Sequence, residues 1–169
     1  MMTHYTVLSI GALSIGALSI RALSIGLLSS GMAVGIMAIG QPTQAIENSD
    51  GFMLPSGNIY CISHEVGGDL AKESPILRCE IGSKLNPMPR QPKSCNLDWG
   101  AGLRLSKAKK PATVLCVGDT MYSPDYPTLD YGKTWKKNGF SCKATKAGLT
   151  CTNGKGNGFF LNREDWKVF

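Results

Sequence analysis

Histidine is nearly absent from this chain: His4 and His64 are the only two in 169 residues. No two cysteines form a Cys-x-x-Cys pair, so the close-spaced ligand pairs of zinc fingers and ribbons are missing. No Gly-x-Ser-x-Gly elbow occurs, which removes the most legible signature of a serine hydrolase. Charge is missing from one end. Residues 7–40 carry Arg21 and no other charge, whereas 17 of the 18 lysines and arginines and all 12 acidic residues lie beyond residue 45. Residues 46–169 are therefore the folding part, 124 residues with a formal charge of +5. That is enough for one domain and too little for two. Leu, Ile, Val and Phe number only 25 in this stretch, near the lower limit for a self-sufficient core. A large multidomain enzyme, a coiled coil and a polytopic membrane protein are excluded.

What the first 45 residues do contain is a repeat. Residues 8–27 reiterate Leu-Ser-Ile-Gly-Ala, with Arg21 replacing one Gly and Leu27 one Ala. On a helix each five-residue unit turns about 500°, so successive units are displaced by about 140° and no single face stays apolar. Such an all-round apolar tract belongs in a membrane or a translocon. Ala22 to Gly40 is uncharged, Pro42 breaks the helix, and Thr43-Gln44-Ala45 offers small residues at −3 and −1 of a cleavage site. A positive residue, an apolar run and a small-residue site together read as a secretory signal over residues 1–45, cleaved after Ala45. The alternative is an uncleaved anchor: residues 22–40 would reach about 28 Å, the thickness of the hydrocarbon core.

All six cysteines, Cys61, Cys79, Cys95, Cys116, Cys142 and Cys151, follow this leader. An even number behind an export signal reads as three disulfides. Six cysteines allow fifteen pairings, but local register narrows the choice. Phe140–Ala144 and Leu149–Asn153 are strand-like, and Thr145-Lys146-Ala147-Gly148 is a four-residue turn. That register sets Ala144 opposite Leu149 and hence Cys142 opposite Cys151, within disulfide reach. The same logic joins Cys61 to Cys79, linking Asn58–Ser63 to Leu77–Ile81, and leaves Cys95 for Cys116. Closing loops of 10, 19 and 22 residues in this way is worth about 2.7, 3.2 and 3.4 kcal/mol by chain entropy.

Further strand-like segments fall at Val114–Val117, Leu129–Trp135 and Phe159–Asn162, with turn residues between. Short strands at this spacing predict an all-β fold, a small disulfide-stapled antiparallel sandwich or barrel over residues 46–169. Leu85–Ser94 is a loop because Pro87, Pro89 and Pro92 cannot donate to a ladder. Asn138-Gly139 predicts a type I′ hairpin that pairs Trp135 with Cys142. If Gly154-Lys155-Gly156-Asn157 is the next turn, Cys151 faces Phe160, giving a four-stranded meander with a Trp135, Cys142, Cys151, Phe160 row. Lys136, Lys143, Thr150 and Thr152 then share the solvent side, where Phe159 and Leu161 would need a cover such as Trp166 or Phe169. Asn162 is placed to cap a short C-terminal helical turn over Arg163 to Trp166.

Several phrases recur in a known grouping: Phe52 with Pro55-Ser56-Gly57-Asn58-Ile59-Tyr60-Cys61, then Arg78-Cys79-Glu80-Ile81, Asp98-Trp99-Gly100 and Cys116-Val117-Gly118-Asp119-Thr120. Tyr131-Gly132, Trp135, Gly139 to Cys142, Gly148 to Asn153 and Gly156 to Arg163 follow in the same order. On these the chain resembles a family of small exported, cysteine-rich bacterial proteins of unknown function. The resemblance implies export and disulfides and brings no activity. One departure is visible: where that family tends to have Gly-His-Gly, this chain has Gly156-Asn157-Gly158, so any role of that histidine is lost here.

Candidate chemistry is sparse. His64 would need an orienting partner to act as a base. Asp98, Asp119, Asp125 and Asp130 contain the makings of a glycosidase-like carboxylate pair or a calcium site, but each sits in a turn-like context where Asp bonds the backbone. Gly154-Lys155-Gly156-Asn157-Gly158 precedes a strand rather than the helix N-terminus a phosphate loop needs. Lysines scatter through 104–110, 133–137 and 143–155, and no aromatic-and-basic pattern of an RNA-binding fold accompanies them, so nucleic acid is not expected. The reading is an exported, non-catalytic interaction module with no cofactor and an unidentified ligand. Anionic envelope polymer or lipid head groups suit its charge, and a membrane enters only through an uncleaved leader. A secreted hydrolase, or an inhibitor of one, is the alternative.

Overall fold

The computed structural model describes residue 46 and residues 49–169. The leader over residues 1–45, its cleavage site at Ala45 and the anchor at 22–40 lie outside the described residues. Ile46 packs, partly buried, against the core.

The chain forms two five-stranded antiparallel sheets, each an uninterrupted meander. The first runs β1 (Gly51–Met53), β2 (Ile59–His64), β3 (Ile76–Ile81), β4 (Asp98–Ser106) and β5 (Thr113–Val117). The second runs β6 (Thr134–Lys137), β7 (Phe140–Thr145), β8 (Gly148–Asn153), β9 (Gly158–Leu161) and β10 (Trp166–Val168). A 3₁₀ helix, Gly68–Glu73, joins β2 to β3. Side chains alternate across a strand, and the inward sets of both sheets merge into one cluster: Phe52, Leu77 and Leu103 from the first, Trp135, Leu149 and Phe159 from the second. The fold is thus an all-β sandwich. Phe52 and Trp135 meet at its centre with ring centroids 5.1 Å apart.

Two disulfides stand in that core. Cys61 pairs with Cys79 across β2–β3, and Cys142 with Cys151 across β7–β8, each in direct cross-strand register. Sulfurs of Cys61, Cys79 and Cys151 lie within 4.8 Å of one another, so one staple from each sheet packs against the other. The third bridge, Cys95–Cys116, ties the proline-rich loop to β5. Ala144 opposes Leu149 as the turn chemistry requires, and Asn138 and Gly139 have φ of 54° and 84°, the two positive values of a type I′ turn.

Register departs from expectation one hairpin later. Cys151 opposes Phe159, not Phe160. Five residues, 153–157, separate the last ladder pair Thr152 and Gly158 because Asn153 closes the turn: its Oδ1 accepts the N–H groups of Lys155 and Asn157, and its own N–H donates to the Asn157 carbonyl. A one-residue slip exchanges the faces of a strand. Phe159 and Leu161 are therefore core residues, and Phe160 lies half-buried on the outer side. At the C terminus the expected helical turn reduces to a bend in which Asn162 Oδ1 accepts from the N–H groups of Glu164 and Asp165. The chain then continues as β10, so the meander has five strands rather than four. Leu129 enters the core as part of a loop, its N–H donating to the Met53 carbonyl, and β6 starts only at Thr134.

The nine-residue β4 is the longest strand that pattern reading overlooked, β1 being another with no expected counterpart. Gly100, Gly102 and Arg104 break its apolar alternation, and the backbone explains the glycines. Between Trp99 and Leu103 the ladder to β5 shifts register, with Gly100 at φ 77° and Gly102 at φ 154°. A Cβ on Gly102 would sit 2.0 Å from the Cys79 carbonyl oxygen. This bulge lets β4 follow β3 while bending toward the Cys95–Cys116 bridge.

Candidate functional site

The outer side of the first sheet carries a polar network beneath the loop that follows β5. Arg78 and Glu80 are both buried there, two residues apart on one side of β3. Arg78 Nε lies 2.8 Å from Glu80 Oε1. Glu80 also accepts from the Tyr60 hydroxyl at 2.7 Å, the Thr120 hydroxyl at 2.8 Å and the Met121 N–H at 3.0 Å. Arg78 reaches the same loop, donating to the Asp119 carbonyl oxygen at 2.6 Å and to its carboxylate at 3.2 Å. Two buried charges thus clamp residues 119–121 onto the sheet, and Tyr122 closes edge-on over Tyr60. Burial raises the Tyr60 phenol above its ordinary range; the Thr120 hydrogen bond opposes this and Glu80 adds to it. His64 lies at the end of the same side of β2. Burial, and then the Arg78 charge, hold its imidazole below the usual histidine range.

Asp98 and Asp119, two of the four aspartates singled out in the sequence, meet at one open cleft of about 470 Å³ on this side, with Tyr60, Lys84 and Thr120. Asp125 and Asp130 do not line it. A glycosidase-like pair needs one carboxyl held protonated in an apolar setting. Asp98 is instead exposed beside Lys84, and Asp119 exposed beside Arg78. A smaller cleft near the 3₁₀ helix is likewise neutralised: Glu73 bridges Arg104 and Lys110. The Lys110 hydrogen bond holds its carboxyl below the usual range.

The second sheet differs. On its outer side the paired residues run Thr134, Lys143, Thr150, Phe160 and Lys167 in one row, and Lys136, Ser141 and Thr152 in the next. Three lysines, four hydroxyl residues and one half-buried ring cover this face, with no carboxylate in either row. Among the described residues, Lys167 alone of these three lysines has a neighbour of opposite charge, Asp165 at 3.2 Å. Thr145 continues the side of β7 that holds Lys143 and opens onto a cleft of about 460 Å³ at the end of the sandwich. Four stretches distant in sequence meet there: residues 54–59, Tyr131, the β7–β8 turn, and residues 162–164. Sequence reasoning missed this cleft.

A protein-family model described as a family of unknown function (DUF6636) matches residues 32–169, which includes the last part of the expected leader. No curated protein and no solved structure matches the chain.

Proposed function

The chain belongs to this family of unknown function, and from its own chemistry we propose that it is an exported, non-catalytic module that binds anionic polymer of the cell envelope. The lysine–threonine face of the second sheet carries this reading: an antiparallel surface whose paired rows hold cations and hydroxyls but no acid attracts polyanions at long range. Elsewhere the acids at the two side clefts are already engaged with cations: Asp119 with Arg78, Asp98 with Lys84 and Glu73 with Lys110. Three disulfides support an oxidising compartment. Among the described residues no helix is long and apolar enough to cross a membrane.

The test is retention of the purified protein on immobilised wall polymer against a neutral matrix, over a salt series. Binding should weaken with salt and fall at least tenfold when Lys136, Lys143 and Lys167 are changed together to Gln. Salt-independent retention, or no effect of the triple change, would overturn the reading. A hydrolase is the second reading, favoured by Asp98 and Asp119 sharing a cleft. Turnover abolished by Asp98→Asn or Asp119→Asn would put it first.

A further inference from the structure

The end cleft differs from the other two in what its charges do. Its walls are internally braced. Asn58 donates to the Ser83 hydroxyl and accepts the Ser83 N–H; Asn162 donates to the Ala147 carbonyl and accepts two N–H groups from its own bend. Its floor at Gly148 is closed to any larger residue, since a Cβ there would fall 2.7 Å from the Leu161 carbonyl oxygen and 2.8 Å from the Phe160 ring. Tyr131, Lys146 and Arg163 line the cleft, and none of them makes a hydrogen bond or ion pair with another described residue. Tyr131 is 40% exposed. Around one braced cleft, then, stand an aromatic ring, an ammonium and a guanidinium, all unpaired within the fold. Ser56 and Glu164 add hydroxyl and carboxylate groups on its lining.

From this arrangement we propose that the end cleft binds one or two units of an anionic polysaccharide, gripping a sugar ring on Tyr131 and its acidic group with Lys146 and Arg163. The chemistry selects this ligand over a bare polyanion. A ring surface contributes by covering the C–H face of a sugar. A guanidinium fork fits a carboxylate or phosphate in bidentate fashion, and an ammonium adds charge without directionality. Glu164 would repel a dense polyanion but accepts hydrogen bonds from saccharide hydroxyls. The volume of about 460 Å³ lies in the range of small-ligand pockets. The inference rests on the reading of the second sheet as a polyanion face: Lys143 and Thr145 lie on one side of β7, so the face leads into the cleft. The face would collect the polymer and the cleft would recognise its unit.

Three probes separate the two ideas, each titrated into the disulfide-intact protein by calorimetry: tetragalacturonate, neutral maltotetraose and inorganic polyphosphate. Tetragalacturonate should bind, with amide shifts at Ala147 and Gly148 in NMR spectra, and maltotetraose should bind at least tenfold more weakly. Tyr131→Ala and Arg163→Met should each weaken tetragalacturonate at least tenfold and leave polyphosphate within twofold. Both side chains are exposed and unpartnered, so a circular dichroism spectrum matching the parent is expected for each. If polyphosphate binds through Lys136, Lys143 and Lys167 while tetragalacturonate ignores both cleft variants, the cleft inference fails and the face reading stands. If neither anionic probe binds, both fail.

Discussion

Arg78→Met offers the sharpest test of how the first sheet is held together. It removes the cation beside a carboxylate whose side chain is only 5% exposed. Breaking a buried pair from one side costs about 3–5 kcal/mol, because the remaining charge has neither partner nor water. Glu80 would keep three neutral donors, from Tyr60, Thr120 and Met121, so the lower end, about 3 kcal/mol, is expected. Asp119, at 72% exposure, loses its tie to Arg78 but regains water, and adds little. Removing both charges in Arg78→Met/Glu80→Leu leaves no orphan charge, only the Tyr60 and Thr120 hydroxyls and one N–H to find solvent. The double variant should cost at least about 1.5 kcal/mol less than the two single changes summed. Urea denaturation of the disulfide-intact protein measures all three, with hydrogen exchange at residues 119–122 reporting release of the loop. A single-variant cost below about 1 kcal/mol, or strict additivity, would refute the clamp.

His64 is held below its ordinary value, so the folded state binds fewer protons than the unfolded chain; its contribution should be fully present above about pH 6.5 and lost as pH falls through the lower folded value. Stability measured from pH 8 to 5 should decline over that interval, and His64→Asn should flatten the decline. Replacing Cys142 and Cys151 together by Ala should cost about 2–4 kcal/mol by thermal unfolding, and peptide mapping without reductant should recover Cys142 joined to Cys151. Gly102→Ala should cost at least about 2 kcal/mol in urea, since the new methyl would meet the Cys79 carbonyl and its φ suits only glycine. N-terminal sequencing of protein from its native host should begin at Ile46 if the leader is cleaved after Ala45.

What could be read from the sequence was whatever local chemistry decides. Asn138-Gly139 specifies its turn because two positive φ values are cheap for that dipeptide, and the turn sets Trp135 against Cys142. From there the β7–β8 register brings Cys142 to Cys151 without any long-range information. The next turn defeated the same method because Asn153, read as a strand residue, turns its side chain onto the loop and donates to the Ser106 and Ala108 carbonyls of the opposite sheet. A tertiary contact chose that loop length. β4 was hidden for a related reason: glycine weakens the strand signal, yet here glycine is required by how closely β3 approaches.

The polar sites were less legible still, because their members come together only through sheet order. Arg78 and Glu80 look like ordinary solvent-facing strand residues, and nothing local says that a loop some forty residues later will cover them. Once covered, the same charges that might have suggested chemistry become mutual partners, and Asp119 is spent holding its own loop. The end cleft shows the converse. Tyr131, Lys146 and Arg163 sit in three separate turns, each bland alone, and the two meanders bring those turns to one edge of the sandwich. A charge already paired within the fold has little left to offer a ligand, whereas an unpaired one has not yet lost its binding energy to an internal partner. By that criterion Asp98 and Asp119 are held by internal partners, and the unpaired Tyr131, Lys146 and Arg163 of the end cleft are the groups left to meet the ligand proposed for it.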